Sequence, residues 1–236
     1  FIAKALQSVR DQSFQDWELV VIEDGSRDAT QDIVKAFAQT VPQAVRYMNN
    51  GSNLGVSLSR SRAIKESKGS FVAFLDADDW WSPDHLSNAQ NTFLSSENCG
   101  LAYSEINLFD SKSQSVSQVV RPSPVQQSSP QIELFKSSFS QTSSCVALTR
   151  RAVESIGDFD HSLSIGEDRD YWLRCAESGF SLNCTNAKTC YYLKHPSNTM
   201  SKTLKVAEQT VAFYEKRKDH PDYPPALRRA KRVNSL

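Results

Sequence analysis

The sequence predicts an α/β protein: a mostly parallel central sheet flanked by helices, continued by a less regular α+β portion. Three observations predict it. Strand-like and helix-like stretches alternate from Phe1 to Cys99. Two of the strand-like runs end abruptly in acids, Glu23-Asp24 and Asp76-Ala77-Asp78-Asp79. Past Cys99 the alternation stops, and Asp110 to Gln131 is rich in Ser, Gln and Pro.

Each element has its own justification. Phe1 to Gln12 reads as a helix because Ile2, Ala5, Leu6 and Val9 fall on one face. Trp17 to Ile22 is a short apolar run bounded by polar residues, which is a strand signal, and Asp28 to Gln39 follows as a helix. Val45 to Met48 reads as a strand, Val56 to Ser67 as a helix, and Ser70 to Leu75 as a buried strand rich in aromatic and β-branched residues. Ser82-Pro83 has the residues of an N-cap followed by N1. Strand-helix-strand repetition implies parallel pairing with right-handed crossovers, and such a sheet needs an interior strand ahead of the opening helix, so the expectation is an N-terminally shortened chain. Gly100 to Leu108 alternates weakly. Asp110 to Gln131 is a poor core former and is expected as an exposed, mobile loop or an extended hairpin. Beyond it lie a strand at Cys145 to Leu148, a helix at Arg150 to Ile156, a helix from about Asp168, a strand at Tyr191 to Leu193, and a last helix at Asn198 to Lys218.

Bulk properties exclude several classes. The 236 residues suffice for one large domain or two small ones. Lys+Arg 27 against Asp+Glu 27 gives no net charge and so no electrostatic case for nucleic acid. No apolar run approaches the ~20 residues that span a bilayer. Five cysteines without a C-x-x-C pair argue against a disulfide framework and a zinc site, and fit reduced thiols in the cytoplasm. Residues 202–236 hold nine Lys/Arg and four Asp/Glu, a charge excess that suits a solvated helix face or, alternatively, anionic lipid at the inner membrane face.

Chemistry concentrates at the strand ends. Asp76 and Asp78 point the same way if the strand continues through them, so one face presents two carboxylates. Oxygen ligands of that kind suit Mg2+ or Mn2+, which leave room for substrate phosphates, and an acidic strand end in an open α/β sheet is a place for a metal-bound nucleotide. Asp79 faces elsewhere and serves as a cap or a water bridge. Glu23-Asp24-Gly25-Ser26 follows another strand; a carboxylate there can accept the N–H of a nucleobase, although an Asp/Ser turn with an N-cap explains the same residues. Arg60 lies on the helix feeding the acidic strand and can reach base or phosphate, or be an ordinary surface arginine.

Together, Asp24-Gly25-Ser26 after a strand, Asn53-Leu54-Gly55 followed by Arg60, and Phe74-Leu75-Asp76-Ala77-Asp78-Asp79 resemble the family 2 glycosyltransferases of GT-A (Rossmann-like) fold. Gly157-Asp158-Phe159-Asp160 followed by Gly166-Glu167-Asp168-Arg169 is similar to that family's acceptor-side Glu-Asp motif. The resemblance covers most of the chain, and four motifs in order make it specific. It implies an inverting, metal-dependent transfer from a nucleoside-diphosphate sugar, most commonly a UDP-sugar, to a hydroxyl of a glycan or lipid-linked acceptor in surface polysaccharide synthesis.

By the same resemblance, Glu23, Asp24, Ser26, Arg60 and Asp76 bind the donor, with Asp24 at the base and Asp76 near the ribose. Asp78 ligates Mn2+ or Mg2+, and Asp168 is the general base. Glu167, Trp80 and Trp81 belong to the acceptor side, with core packing the alternative for one of the tryptophans. Where relatives show Tyr-Arg-x-His, this chain has Tyr192-Leu193-Lys194-His195; His195 is either a metal or diphosphate contact or a structural histidine, and Lys194 partly replaces the lost Arg. The implied organisation is a donor half at 1–110 lacking its first strand, a flexible loop at 111–131, an acceptor and catalytic half at 132–200, and a basic helical tail at 201–236. Two other readings use the same residues: a nucleotidyltransferase, which wants a Gly-rich phosphate loop that is not visible, and a catalytically silent nucleotide-sugar binder. Retention of both Asp78 and Asp168 favours transfer. The implied location is the cytoplasm, with or without peripheral membrane contact through the tail.

Overall fold

The computed structural model describes residues 1–136, 142–195 and 203–220. The chain opens with α1 (Ile2–Arg10), β1 (Leu19–Glu23), α2 (Thr30–Ala38), β2 (Val45–Asn49), α3 (Val56–Glu66) and β3 (Phe71–Ala73). Then follow β4 (Trp80–Trp81), α4 (His85–Leu94), β5 (Cys99–Asp110), β6 (Ser115–Val120), α5 (Pro124–Ser128) and α6 (Pro130–Lys136). The last elements are β7 (Val146–Thr149), α7 (Arg150–Ile156), α8 (Glu167–Glu177), β8 (Ser181–Lys194) and α9 (Thr203–Glu215).

The α/β class holds, but the sheet is mixed rather than mostly parallel. β1 and β2 form a two-stranded parallel ribbon joined by the α2 crossover, with Val21 opposite Tyr47. The larger sheet runs β3-β7-β5-β8-β4, with β6 paired to β5. There only β5 and β8 are parallel; β7 runs antiparallel to both β3 and β5. Hydrophobic runs specify strands but not their direction, and only connection length hints at it. Register shifts along β5 and β8 bend these long strands, so the sheet curls. Glu18 ties the ribbon to the larger sheet: its carboxylate accepts from Gly69 N (2.8 Å), just ahead of β3, and pairs with Arg46 of β2.

The core sits between the larger sheet and α7, α8 and α9. Tyr171, Trp172, Leu173 and Cys175 of α8 are buried, and Phe159 stacks on Tyr171 with centroids 3.9 Å apart. Phe74, just after β3, meets Phe159 edge-on at 5.7 Å. This aromatic block therefore links the acidic end of β3 to the first turn of α8. The five cysteines are free, and only Cys184 is not fully buried.

Three sequence expectations change. Residues 111–131 are not a structureless loop: the hairpin alternative holds for β6, and α5 starts with a capping box between Ser123 and Gln126, with Pro124 at N1. The helix after the acids starts at His85, not at Ser82-Pro83, because the segment after α1 takes the groups an earlier start would use: Pro83 O accepts from Ser13 N (2.8 Å) and Leu86 N donates to Gln12 Oε1 (3.0 Å). The last helix is described from Thr203; its expected start at Asn198 and tail residues 221–236 lie outside the described residues. Among the described residues no helix is long and apolar enough to cross a membrane.

Candidate functional site

Beyond Ala73 the chain leaves β3 and turns: Asp79 N donates to Asp76 O at 3.0 Å. The three acids consequently diverge instead of sharing a face, as the repulsion of like charges favours. Each finds a different partner. Asp76 Oδ1 accepts from Arg60 Nη2 at 2.8 Å. Asp78 Oδ2 lies 3.0 Å from His195 Nε2. Asp79 turns inward, where Oδ2 accepts from Ser144 Oγ (2.6 Å) and Thr142 Oγ1 (2.8 Å) while Oδ1 accepts from Leu193 N (3.1 Å).

Arg60, on α3, bridges the two halves of the site. Its other terminal nitrogen, Nη1, donates to Glu167 Oε1 at 2.8 Å. Burial pulls the guanidinium down, but the carboxylates of Asp76 and Glu167 outweigh it and hold Arg60 above its ordinary range. Glu167 opens α8, where Gly166 takes a left-handed φ of 81°. Burial and the neighbouring Asp168 push Glu167 up to about 7, against the pull of Arg60. Asp168 is raised by burial, with Arg60 opposing, and its Oδ1 accepts from Arg169 N at 2.6 Å. Three acids in the first turn of α8 suit its positive dipole end.

The ends of β1 and β2 make a separate pocket. Asp24 Oδ1 accepts from Asn50 Nδ2 (2.9 Å) and Leu54 N (2.8 Å), and Oδ2 accepts from Gly55 N (2.8 Å). Asp24 thus holds the loop between β2 and α3. Glu23 accepts from Tyr47 and Asn49, and Ser26 Oγ donates to Asp28 at 3.2 Å. Gly25, Ser26 and Arg27 face Asn49 and Gly51 to Asn53 across a cavity of about 500 Å³. Gly25 has φ 84°, and a Cβ there would lie 2.6 Å from Asn53 N, so the two loops approach as closely as they do only because the residue is glycine.

The tryptophan pair divides. Trp81 is a core residue: it is buried, stacks on His85 and donates from Nε1 to Ser144 O at 2.7 Å. The core alternative therefore holds for Trp81, whose ring has no open face to offer. Trp80 is half-buried, stacks on Tyr191 and carries the Lys4 ammonium 3.1 Å from its ring centroid. A sugar stacking on that face would have to replace Lys4. Glu167, expected on the acceptor side, is the ion-pair partner of Arg60.

The described residues thus bring Arg60, Asp76, Glu167 and Asp168 into one cluster. Asp78, on the same turn, forms a second with His195 just past β8, and Glu23, Asp24 and Ser26 form a third at the ribbon's end. Sequence reasoning missed the buried clamp of Asp79 on Thr142 and Ser144, and Arg169; hydroxyl residues in a Ser-rich stretch carry no signal that separates these two from their neighbours. Among the described residues no group of three or more His, Cys, Asp or Glu side chains converges as a metal cage. Asp78 with His195 offers one carboxylate and one imidazole, a mixed pair that fits Mn2+ better than the oxygen-demanding Mg2+, with water and substrate phosphate oxygens left for the remaining positions.

A curled mixed sheet flanked by helices, with its acids at strand ends, is the architecture of GT-A glycosyltransferases. The mannosyltransferase PcManGT of Pyrobaculum calidifontis, solved with GDP-Man and Mn2+, superposes with a TM-score of 0.72 at 20% identity, over 99% of this chain and 64% of that one. TarS 1–349 of S. aureus with UDP-GlcNAc gives 0.67 at 18% identity, over 91% and 62%. The chain belongs to glycosyl transferase family 2, whose pattern matches residues 1–157. Among curated relatives, TuaG of Bacillus subtilis is 31% identical over 108 residues, 46% of this chain and 42% of TuaG. The UDP-Glc:alpha-D-GlcNAc-diphosphoundecaprenol beta-1,3-glucosyltransferase WfaP of Escherichia coli is 26% identical over 206 residues, 86% of this chain and 76% of that protein. The chain spans less than half the length of the first relatives it matches.

Proposed function

We propose that this protein is an inverting glycosyltransferase that moves a sugar from a nucleoside-diphosphate sugar, a UDP-sugar by preference, to a hydroxyl of a glycan or lipid-linked acceptor in surface polysaccharide synthesis. The observation that carries the reading is the Arg60 bridge, which places Asp76 of the β3 turn and the Glu167-Asp168 pair of α8 around one guanidinium. A donor-side acid and a candidate base are thereby fixed relative to each other, as a single in-line displacement requires.

The roles follow from the surroundings. The polar cavity beside Gly25 and Asn53 takes the nucleobase, with Asp24 shaping its wall and Glu23 and Ser26 at its edge. Asp76, paired to Arg60 yet more than a third exposed, still presents carboxylate surface to the ribose. Asp78 and His195 hold a divalent cation, Mn2+ or Mg2+, which when bound offsets charge on the donor diphosphate. Asp168 takes the proton of the attacking hydroxyl; burial raises its acid above the ordinary carboxylate value, against the pull of Arg60, which makes it a stronger base than an exposed carboxylate. The bound cation in PcManGT and the lipid-linked acceptor in the name of WfaP support the cofactor and acceptor readings. The reading makes the enzyme cytoplasmic, with its basic tail either a solvated helix face or a peripheral contact to anionic lipid at the inner membrane face.

Two substitutions test this. Asp78→Ala should remove the part of UDP binding that depends on Mn2+. Asp168→Asn should keep UDP binding and lower transfer by about 100- to 10,000-fold. Transfer at the wild-type rate by Asp168→Asn would overturn the assignment of the base.

A further inference from the structure

Arg169, the neighbour of Asp168, is buried, and among the described residues no carboxylate lies within ion-pair distance of it. Its hydrogen-bond partners are neutral oxygens: Nε donates to Leu134 O (2.6 Å), and Nη2 to Phe135 O (2.5 Å) and to Tyr214 Oη (2.9 Å). Tyr214 Oη in turn donates to Lys136 O at 2.9 Å. Those three carbonyls belong to the last three described residues of α6. Arg169 of α8 and Tyr214 of α9 thus hold this stretch of α6 jointly, and the Phe213 ring covers the guanidinium at 4.1 Å. A buried cation whose hydrogen bonds all go to neutral oxygens is costly, and nothing in the roles given above uses it.

Helix geometry gives it a use. Successive residues of a helix point about 100° apart, so fixing two of them fixes the rotation of the turn. Glu167 is fixed by Arg60, and Arg169 by α6 and α9. Asp168 lies between them, and its Cα–Cβ direction has no freedom left. The Arg169 charge also favours the ionised form of Asp168, the form a base needs.

We propose that Arg169 is a positioning residue for Asp168, and that α9, through Tyr214, is the strap that holds Arg169 in place, so that sugar transfer depends on this contact and donor binding does not. The proposal rests on Asp168 being the base. Tyr214→Phe keeps the buried ring and removes only the hydroxyl; Arg169→Met removes the cation at similar length, and Arg169→Lys restores a charge without the fork. Binding of UDP with Mn2+ is read by calorimetry, and kcat by UDP release from UDP-glucose, with water or a glycan as acceptor.

Tyr214→Phe is expected to leave the Kd for UDP within about twofold and to lower kcat about tenfold, the worth of one well-placed hydrogen bond. Arg169→Met is expected to lower kcat about a hundredfold, the cost of a displaced catalytic group, and Arg169→Lys to recover part of it. A lower melting temperature with unchanged kcat in Tyr214→Phe would show a purely structural contact and overturn the proposal. UDP affinity and kcat falling together in all three variants would overturn it as well, since the effect would then not be confined to α8. A wild-type chain that neither binds UDP with Mn2+ nor releases UDP would instead overturn the parent reading, and this inference with it.

Discussion

Replacing Asp79 by Asn probes the electrostatics beneath the acidic turn. Asp79 is 1% exposed. Burial, then the carboxylates of Asp76 and Asp78, push its acid from 3.8 up to about 7, against the hydroxyls of Ser144 and Thr142. A folded-state value above the unfolded one means that the folded protein holds the proton more tightly. Stability from this group is therefore fully present below about pH 4 and lost as pH rises to about 7. Between about pH 5 and pH 8 the loss amounts to about 2–3 kcal/mol, or about 4–12 °C in Tm for a chain of this size. Asn has no proton to lose there. Its Oδ1 still accepts from Leu193 N, and its amide donates to the Thr142 and Ser144 hydroxyl oxygens. The stability of Asp79→Asn relative to wild type should thus rise by about 2–3 kcal/mol from about pH 5 to pH 8. Thermal unfolding of both proteins in chelator, across that range, measures it. A difference that stays flat with pH would mean that Asp79 is ionised throughout, and would refute the reasoning.

Other substitutions probe the scaffold. Phe159→Ala removes the ring that packs on Tyr171, Phe74 and Trp172, and should cost about 3–5 kcal/mol in urea unfolding; a loss below about 1 kcal/mol would deny that this block carries the first turn of α8. Trp81→Phe leaves Ser144 O without its 2.7 Å donor and should destabilise by about 1–3 kcal/mol, with UDP binding unchanged if Trp81 is a core residue and nothing more. Gly25→Ala meets both a left-handed φ and a contact at 2.6 Å, so it should cost about 1–2 kcal/mol and weaken nucleotide binding more than Ser26→Ala does.

Much of the donor-side half was legible because its signals are local. The helices α1, α2 and α3 follow from apolar periodicity, and Gly25 is required by a turn that only glycine fits. Strand direction was not legible, since pairing of β7 between β3 and β5 is a long-range choice that no residue in Val146–Thr149 encodes. Most of β8 also went unread: bulges against β5 break its alternation, and only Tyr191 to Leu193 reads as a strand. At the site, the residue types were visible but their partners were not. Asp76 and Asp78 look alike in the sequence, yet the turn closed by Asp79 N sends one to Arg60 and the other to His195. Trp80 and Trp81 are likewise neighbours in sequence, and strand alternation sends Trp81 into the core.

The central claim is a donor site that joins a nucleotide cavity to the Asp78–His195 pair through a divalent cation. Calorimetric titration of the protein with UDP, dTDP and GDP, each with and without Mn2+, tests it most directly. The account predicts binding of UDP that strengthens at least about tenfold when Mn2+ is present, and that loses this gain in Asp78→Ala. Binding of all three nucleotides to the same weak extent, indifferent to Mn2+, would contradict it.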